Sequence, residues 1–380
     1  MNHKELKYWI ALKFVEDVGT VLFDRLVETF GSPRHVLHAS YQELLAVDRM
    51  TAKAARRLTE FSDWDAVDRE IERAQESGIS IVTAADSRYP SLLRTIYDFP
   101  PLLYMKGSLT TDDINIAVVG SRRASTYGTF MTDRLSRELA MKGITVVSGM
   151  ARGIDSAAHK GALSVQGRTI AVLGSGIDII YPPENKRLFD EISEKGAVIS
   201  EYPLGTGPKS PHFPSRNRII SGMSYGIVVV EANERSGSLI TARLALEQGR
   251  EVFAVPGSID APGSKGTHRL LRDGAKLVEN VYDVLEEIVP QIPRESRAGG
   301  EETAAAANPS SPAAKIVPGN GTSLTDDEQT ILRCLEGEPI QIDGITAAGG
   351  YTIDHTLSIL LSLELKGYID QLPGKRFKLK

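Results

Sequence analysis

The stretch Ala117–Gly128, AVVGSRRASTYG, reads as an apolar strand running into a phosphate-type turn, yet it has one glycine before two adjacent arginines where a nucleotide-binding turn carries several glycines. Apolar, β-branched runs of the same kind recur as INIAVVG, GITVVSG, RTIAVLG, GAVISEY, YGIVVVE, EVFAVPG and AKLVEN. Helical stretches such as YGTFMTDRLSRELAMKG and SLITARLALEQGR separate them. Continuous apolar strands alternating with helices need a mainly parallel sheet covered on both faces, so residues 79–288 read as an α/β, extended Rossmann-like domain.

Bulk properties bound the rest. A chain of 380 residues with 41% apolar and 24% charged residues is ordinary for a globular protein of two or three domains. The formal net charge of −5 announces no global attraction for nucleic acid, although such fields are often local to one face. Cys334 is the only cysteine, which excludes an internal disulfide or a multi-cysteine metal site, and its helical context assigns it to the core. The seven histidines lack HExxH-type spacing. The amphipathic, charged beginning MNHKELKYWIALKFV is no signal peptide, no apolar run is long enough to span a membrane, and the expected location is the cytoplasm.

Three segments flank the α/β text. Residues 1–75 read as short helices broken near Gly19 and Gly31, a SAM-like or helix-hairpin-helix bundle that serves equally as a packing module or a DNA-backbone clamp. Residues 290–323 are rich in Pro, Gly, Ala and Ser and read as a flexible tether. Residues 324–380 follow the order of a winged helix, with a terminal hairpin turning at Pro373 and Gly374. Its third helix offers only Asp354, His355, Glu364 and Lys366 as ionisable groups, so charge favours a protein-contact role over direct reading of a duplex.

In a doubly wound sheet, ligands bind at the carboxyl ends of the strands, where loops present backbone N–H groups to anions. Three glycine turns lie there: Gly120-Ser121-Arg122-Arg123-Ala124-Ser125, Met150-Ala151-Arg152-Gly153 after Gly149, and Gly174-Ser175-Gly176. The G-x-G-x-x-G fingerprint is missing from the first turn and a Walker-type G-x-x-x-x-G-K-[ST] is missing throughout, so neither NAD nor a P-loop nucleotide is expected and no cofactor is assigned. The basic residues instead fall in three loops: Arg122 and Arg123, Lys186 and Arg187, and Arg216 and Arg218 beside Asn217. Together they suit a groove for consecutive phosphates, with Phe189 as a ring for a base to stack on. Taken singly, each cation reads as well as a solvated surface charge.

Catalytic equipment is thin. His159 follows Asp155 at helical spacing, which more often pins a helix start than builds a base. Glu201 and Glu231 each follow a strand and read as bases or as acceptors for loop N–H groups. SGSLITA, Ser236–Ala242, supplies hydroxyls for an N-cap or an anion contact.

At these residues the sequence resembles the DprA, or Smf, DNA-processing proteins of bacterial natural transformation. The matching text runs from YPSLLRTIYDFPPLLYMKG through AVVGSRRASTYG, VVSGMARGIDSAAHKGAL, AVLGSGIDIIYPPENKRLF, SEYPLGT, FPSRNRIISGMS and VVVEANERSGSLITARLALEQGREVFAVPG to GAKLV, that is, from Tyr89 to Val278. The resemblance implies a non-enzymatic protein that binds single-stranded DNA, dimerises, and helps load the RecA recombinase onto incoming strands coated by single-strand-binding protein. It implies DNA contacts at Arg122, at Lys186 and Phe189, and along Arg216-Asn217-Arg218, within a site taken to include Gly120, Ser121, Arg123, Ser125, Arg152, Gly174 and Gly176. His268 stands where the family more often has Asn. The phosphoribohydrolases, a related Rossmann-like family, carry PGGxGTxxE; the corresponding VPGSIDAPGSKGTHRLL lacks both the glycine pair and the glutamate.

Two alternatives stand beside the single-strand reading: a nucleotide-phosphate hydrolase using the same turns, and a winged-helix regulator of duplex DNA. The SLITARLALEQG helix and the EVFAVPG strand are candidates for the subunit contact, though ordinary core packing explains their apolar residues as well.

Overall fold

The computed structural model describes residues 3–111, 113–292, 324–335, 337, 339–372 and 376–379. The tether expected at 290–323 lies outside them from residue 293, as do Pro373 and Gly374. The chain divides into two compact units, one ending at Gln291 and the other starting at Ile292.

The first unit opens with six helices: α1 (His3–Phe14), α2 (Thr20–Phe30), α3 (Pro33–His38), α4 (Tyr41–Leu45), α5 (Ala52–Thr59) and α6 (Trp64–Glu76). Their starts are set by side-chain caps: Ser32, Ser40, Thr51 and Asp63 each accept from a backbone N–H of the next turn, and Ser40 with Glu43 closes a full capping box. Gly19 begins α2 and Gly31, at φ +80°, ends it in the left-handed region that glycine enters without strain. The remaining elements of this unit are β1 (Ser80–Thr83), α7 (Ser91–Arg94), β2 (Leu102–Gly107), β3 (Asn115–Val119), α8 (Thr126–Met141), β4 (Thr145–Ser148), α9 (Ile154–Ser164), β5 (Thr169–Leu173), α10 (Lys186–Lys195), β6 (Ala197–Ser200), α11 (His212–Gly222), β7 (Gly226–Val229), α12 (Gly237–Glu247), β8 (Glu251–Ala254), α13 (Lys265–Arg272), β9 (Lys276–Leu277) and α14 (Val281–Ile288).

The nine strands form one sheet in the order β1-β2-β6-β5-β4-β3-β7-β8-β9. From β6 to β9 every pairing is parallel, and β3 to β7 are buried along their whole length, which is why they read as unbroken apolar runs. The edge of β1 and β2 is antiparallel. The chain winds from β3 out to β6, then returns to place β7 on the other side of β3. The loops after β3 and β7 therefore part toward opposite faces, and the crevice between them is a topological switch point.

One hydrophobic core joins the helical bundle to a face of the sheet: Trp9, Leu12, Phe23 and Leu58 cluster with Leu102, Tyr104, Leu173, Ile177, Phe189, Ile192 and Leu204. Polar contacts reinforce the junction, with Leu204 N–H donating to Glu70 Oε1 at 2.8 Å and Arg73 lying 3.3 Å from Asp178. The other face is packed by α7, α11 and α12 through Leu93, Ile219, Ile220 and Ala242.

The second unit has α15 (Asp326–Cys334), β10 (Ile340–Gln341), α16 (Ile342–Gly349), α17 (Ile353–Leu365), β11 (Ile369–Leu372) and β12 (Arg376–Leu379). The strands pair antiparallel as β10-β12-β11 around a core that includes Ile331, Leu335, Leu360, Leu363 and Phe377. β10 is an addition to the helices and hairpin expected from sequence; its two residues are too short to show a period. Cys334 is half-buried rather than fully in the core, because it sits at the last position of α15.

Candidate nucleic-acid interface

The switch-point crevice is a cleft of about 660 Å³. One wall is the turn after β3, Gly120 to Arg123; the other is the loop after β7 and the start of α12, Asn233 to Thr241. The floor comes from α11 through Phe213, Arg216, Asn217 and Ile220, with Asp155 of α9 beneath. A small recess of about 30 Å³ shares Arg122, Tyr181, Phe213 and Arg216 with it and reaches Gly149, Arg152 and Gly174. Two of the three predicted glycine turns thus open on one rim, joined there by the start of the third.

Close packing makes the turn what it is. A β-carbon on Gly120 would stand 2.7 Å from Ile154 Cγ1 and 2.9 Å from the Glu231 carbonyl. Ser125 caps α8 through Gly128 N–H at 3.0 Å, and its own N–H donates to Glu231 Oε2 at 2.9 Å. Glu231 is therefore spent on the loop. Ser121 Oγ accepts from Arg123 N–H at 3.1 Å, which holds the Arg122-Arg123 pair at the mouth.

Arg122 lies with its guanidinium carbon 4.9 Å from the centroid of Phe213, and Tyr181 packs on the same ring at 5.7 Å with 44° between planes. Arg123 and Arg235 are exposed. Arg216 is 3% exposed; its Nη1 donates to the Val172 carbonyl at 2.8 Å, while its Nε has no partner among the described residues. Burial pushes the Arg216 guanidinium down and the Asp155 carboxyl up, and each is opposed by the other's charge. Arg216 thus sets a buried positive charge, backed by one buried acid, at the floor of the cleft.

Other predicted residues are elsewhere. Arg218 is 7% exposed and forks onto Glu201 at 2.9 and 2.8 Å, with Asp98 at 3.0 Å from its Nε, so it is a structural ion pair and no groove cation. Phe189 is 3% exposed in the core shared with the bundle, and Lys106 lies over its ring at 5.6 Å, so it has no free face for a base. Lys186 is exposed at the start of α10 but lines neither cavity, and Arg187 pairs with Glu191 at 2.8 Å. Arg152 lines the recess in an ion pair with Glu184. Gly176 packs against the Pro203 carbonyl, away from the cleft.

His159 is fully buried. Thr169 Oγ1 donates to the Val146 carbonyl at 2.6 Å, so it accepts from His159 Nδ1–H at 2.7 Å, and burial holds the imidazole down to about 3. Asp155 accepts from Ala151 N–H at 3.4 Å instead of orienting His159. Sequence reading passed over Tyr181, Phe213 and Arg235. The signal for the first two was an aromatic within a few residues of a predicted cation, and Arg235 sat in the divergent loop after β7.

Comparison with known proteins decides the family. The sequence model described as DNA recombination-mediator protein A matches residues 80–289, and that of the DprA winged helix domain matches residues 302–375. The chain belongs to the DprA family. Membership makes it a DNA-processing, recombination-mediator protein. It is similar to Protein Smf of Synechocystis, 34% identical over 100% of both chains. Among solved structures it resembles DprA of Streptococcus pneumoniae, with a TM-score of 0.63 and 38% identity over 74% of this chain and 98% of that one. It also resembles DprA of Helicobacter pylori, whose structure is described as showing a single-stranded DNA binding mode, with a TM-score of 0.51 and 30% identity over 56% of this chain and 96% of that one. Among the described residues no helix is long and apolar enough to cross a membrane.

Proposed function

We propose that this DprA-family protein binds single-stranded DNA in the switch-point cleft, protects incoming strands and helps load RecA onto them during natural transformation. The observation that carries the reading is the convergence of Arg122, Arg123, Arg216 and Arg235 from three separate segments on one cleft. Guanidiniums spread along an open rim follow a chain of phosphates, while Phe213 and Tyr181 give the bases a surface. The single-strand binding described for the Helicobacter relative supports the same ligand. The contact set is Gly120, Ser121, Arg122, Arg123, Arg152, Gly174, Arg216 and Asn217, with Arg235, Tyr181 and Phe213 added and Lys186 as an outlying cation.

The function is mediation, not catalysis: Glu231 and Glu201 are held in structural contacts and His159 is a neutral core residue. The protein partners in this reading are RecA and single-strand-binding protein, in the cytoplasm; a recombination-mediator family supports a recombinase as partner. The subunit contact is the face of α12 and the β8-β9 edge, where Ile240 and Leu246, 36% and 61% exposed, line a groove of about 510 Å³ and Leu277, 47% exposed, follows Lys276 of its rim. The winged-helix unit serves protein contact.

The test is a titration with labelled single strands at several salt concentrations, with duplex as competitor. A steep fall of affinity with salt and a preference for the single strand are expected. A shallow salt dependence would favour a mononucleotide site, and duplex preference would favour the winged helix. Sedimentation giving only monomer at micromolar concentration would remove the subunit contact.

A further inference from the structure

We propose that Tyr127 and Phe130, on the outward face of the first turns of α8, form a stacking platform for bases of the single strand where it leaves the switch-point cleft past Arg123; this rests on the single-strand reading of that cleft. The platform continues the cleft wall along the chain. Arg122 and Arg123 line the cleft, Ser125 caps α8, and Tyr127 is the second residue of the helix.

Packing fixes which way this helix faces. A β-carbon on Gly128 would stand 2.6 Å from Glu231 Oε2, and Met131 and Thr132 are buried, so that side of α8 is pressed inward. Tyr127 and Phe130, three positions apart, share the other side and are 48% and 61% exposed. Among the described residues no other helix exposes two aromatic rings one turn apart. Tyr127 Oη donates to the Pro256 carbonyl at 2.9 Å, which holds its ring in one place. Neither ring lines the groove assigned to the subunit contact.

The surrounding charge selects the occupant. Arg123 is exposed and has no ion-pair partner among the described residues, and the first turn of α8 carries no acid. Glu231 lies buried beneath, accepting from Ser125 N–H, while Asp133 is tied to Arg137 at 2.8 Å and Glu138 lies 3.7 Å from Arg134. A phosphate on Arg123 therefore meets no unpaired carboxylate on this helix. Rings held open to water beside an unpaired guanidinium suit a strand that offers a base and a phosphate in turn, and stacking accepts any base.

The test uses the full chain and oligothymidine of about 20 nucleotides, longer than the site of one single-strand groove. One thymine at a time is replaced by 5-iodouracil, which joins to an aromatic ring it lies against on irradiation, and the joined residue is identified by peptide mapping. Joining to Tyr127 or Phe130, besides Phe213 or Tyr181, is expected. Joining confined to Phe213 or Tyr181 would overturn this proposal and leave the cleft reading standing, whereas joining at neither pair would end both. Phe130→Leu keeps an apolar side chain but no ring, and should lower affinity for oligothymidine by about 5- to 100-fold, the range for one stacked base, with the salt slope unchanged. Phe130→Tyr should bind as the parent does. Unchanged affinity in Phe130→Leu, an equal loss on a strand with abasic sites, or a loss accompanied by a changed oligomeric state in sedimentation would overturn the platform.

Discussion

Arg216 crosses Gly149 so closely that a β-carbon on the glycine would overlap the guanidinium Nη1. The bare backbone at the end of β4 is thus the channel through which a cation from α11 reaches the floor of the cleft. Gly149→Ala should expel Arg216 and lower single-strand affinity by about 10- to 100-fold, the range for one charge-assisted hydrogen bond. Arg216→Ala should do the same, and the double variant should lose no more than either single one, because both remove one contact. Additive losses in an oligonucleotide titration would show that the two residues act separately.

How far the sequence reveals this arrangement depends on the residue. Apolar runs such as Ile116–Val119 and Ile227–Val230 are visible because strands buried on both faces are mostly apolar, their few polar side chains being small and hydrogen-bonded, as Ser148 and Thr169 are, and the runs fix the parallel sheet. β2 is harder to see: it lies between β1 and β6, antiparallel to both, and its four-residue apolar run Leu102–Met105 follows Pro100-Pro101 with no helical pattern before it to mark a strand. For the cleft, sequence marks which loops carry cations but not which way each points. Arg216 and Arg218 are two apart on α11, about 200° around the helix axis, and one enters the cleft while the other turns to Glu201. Phe189 and Phe213 differ likewise, one covered by the helical bundle and one open to the cleft; that cover is a tertiary contact that no local pattern encodes.

Arg122 combines charge and stacking, and the two can be separated. Arg122→Ala should weaken binding to all base sequences alike and lower the logarithmic salt slope by about 0.7, since it removes one phosphate contact. Arg122→Lys should keep the salt slope but recover only part of the affinity, because an ammonium does not lie flat on Phe213. Affinity measured at several salt concentrations checks both, and a salt slope unchanged in Arg122→Ala would place this side chain off the phosphate path.

Arg218 predicts the opposite behaviour. Its fork onto Glu201 is buried on both sides, so Arg218→Met leaves an uncompensated carboxylate and should destabilise the first unit by about 3–5 kcal/mol. Arg218→Met/Glu201→Leu should recover most of that loss, because removing both charges leaves neither one stranded. Single-strand affinity of the folded double variant should match the parent. Denaturant midpoints measure the first two, and a large affinity loss with stability intact would return Arg218 to the interface.

His159 gives stability a pH dependence. Its folded value is about 3 against an ordinary 6.5, so on acidification the unfolded chain takes up a proton that the folded chain refuses. The contribution is complete above pH 6.5 and falls as pH drops toward 3, reaching a loss of about 2 kcal/mol near pH 5. His159→Asn keeps a donor for Thr169 and cannot titrate. The difference between parent and variant in urea unfolding at neutral and acidic pH should show this slope, and a difference independent of pH would mean that His159 titrates alike in both states.

Phe213 is the ring that separates a base-contacting cleft from a simple phosphate trough. It meets Arg122 and Tyr181 at the point where the cleft and its recess join, which is where the proposed path would bring a base between phosphate contacts. Phe213→Ala should reduce single-strand affinity by about 1–3 kcal/mol, the value of one stacked base, with the salt slope unchanged because no charge is removed. The loss of the ring also frees Arg122, so affinity alone does not isolate stacking. A strand with abasic sites does: its phosphates are intact and it has nothing to stack. The penalty of Phe213→Ala should therefore vanish on the abasic strand, and a penalty of equal size on both strands would mean that the ring works only by holding Arg122 in place.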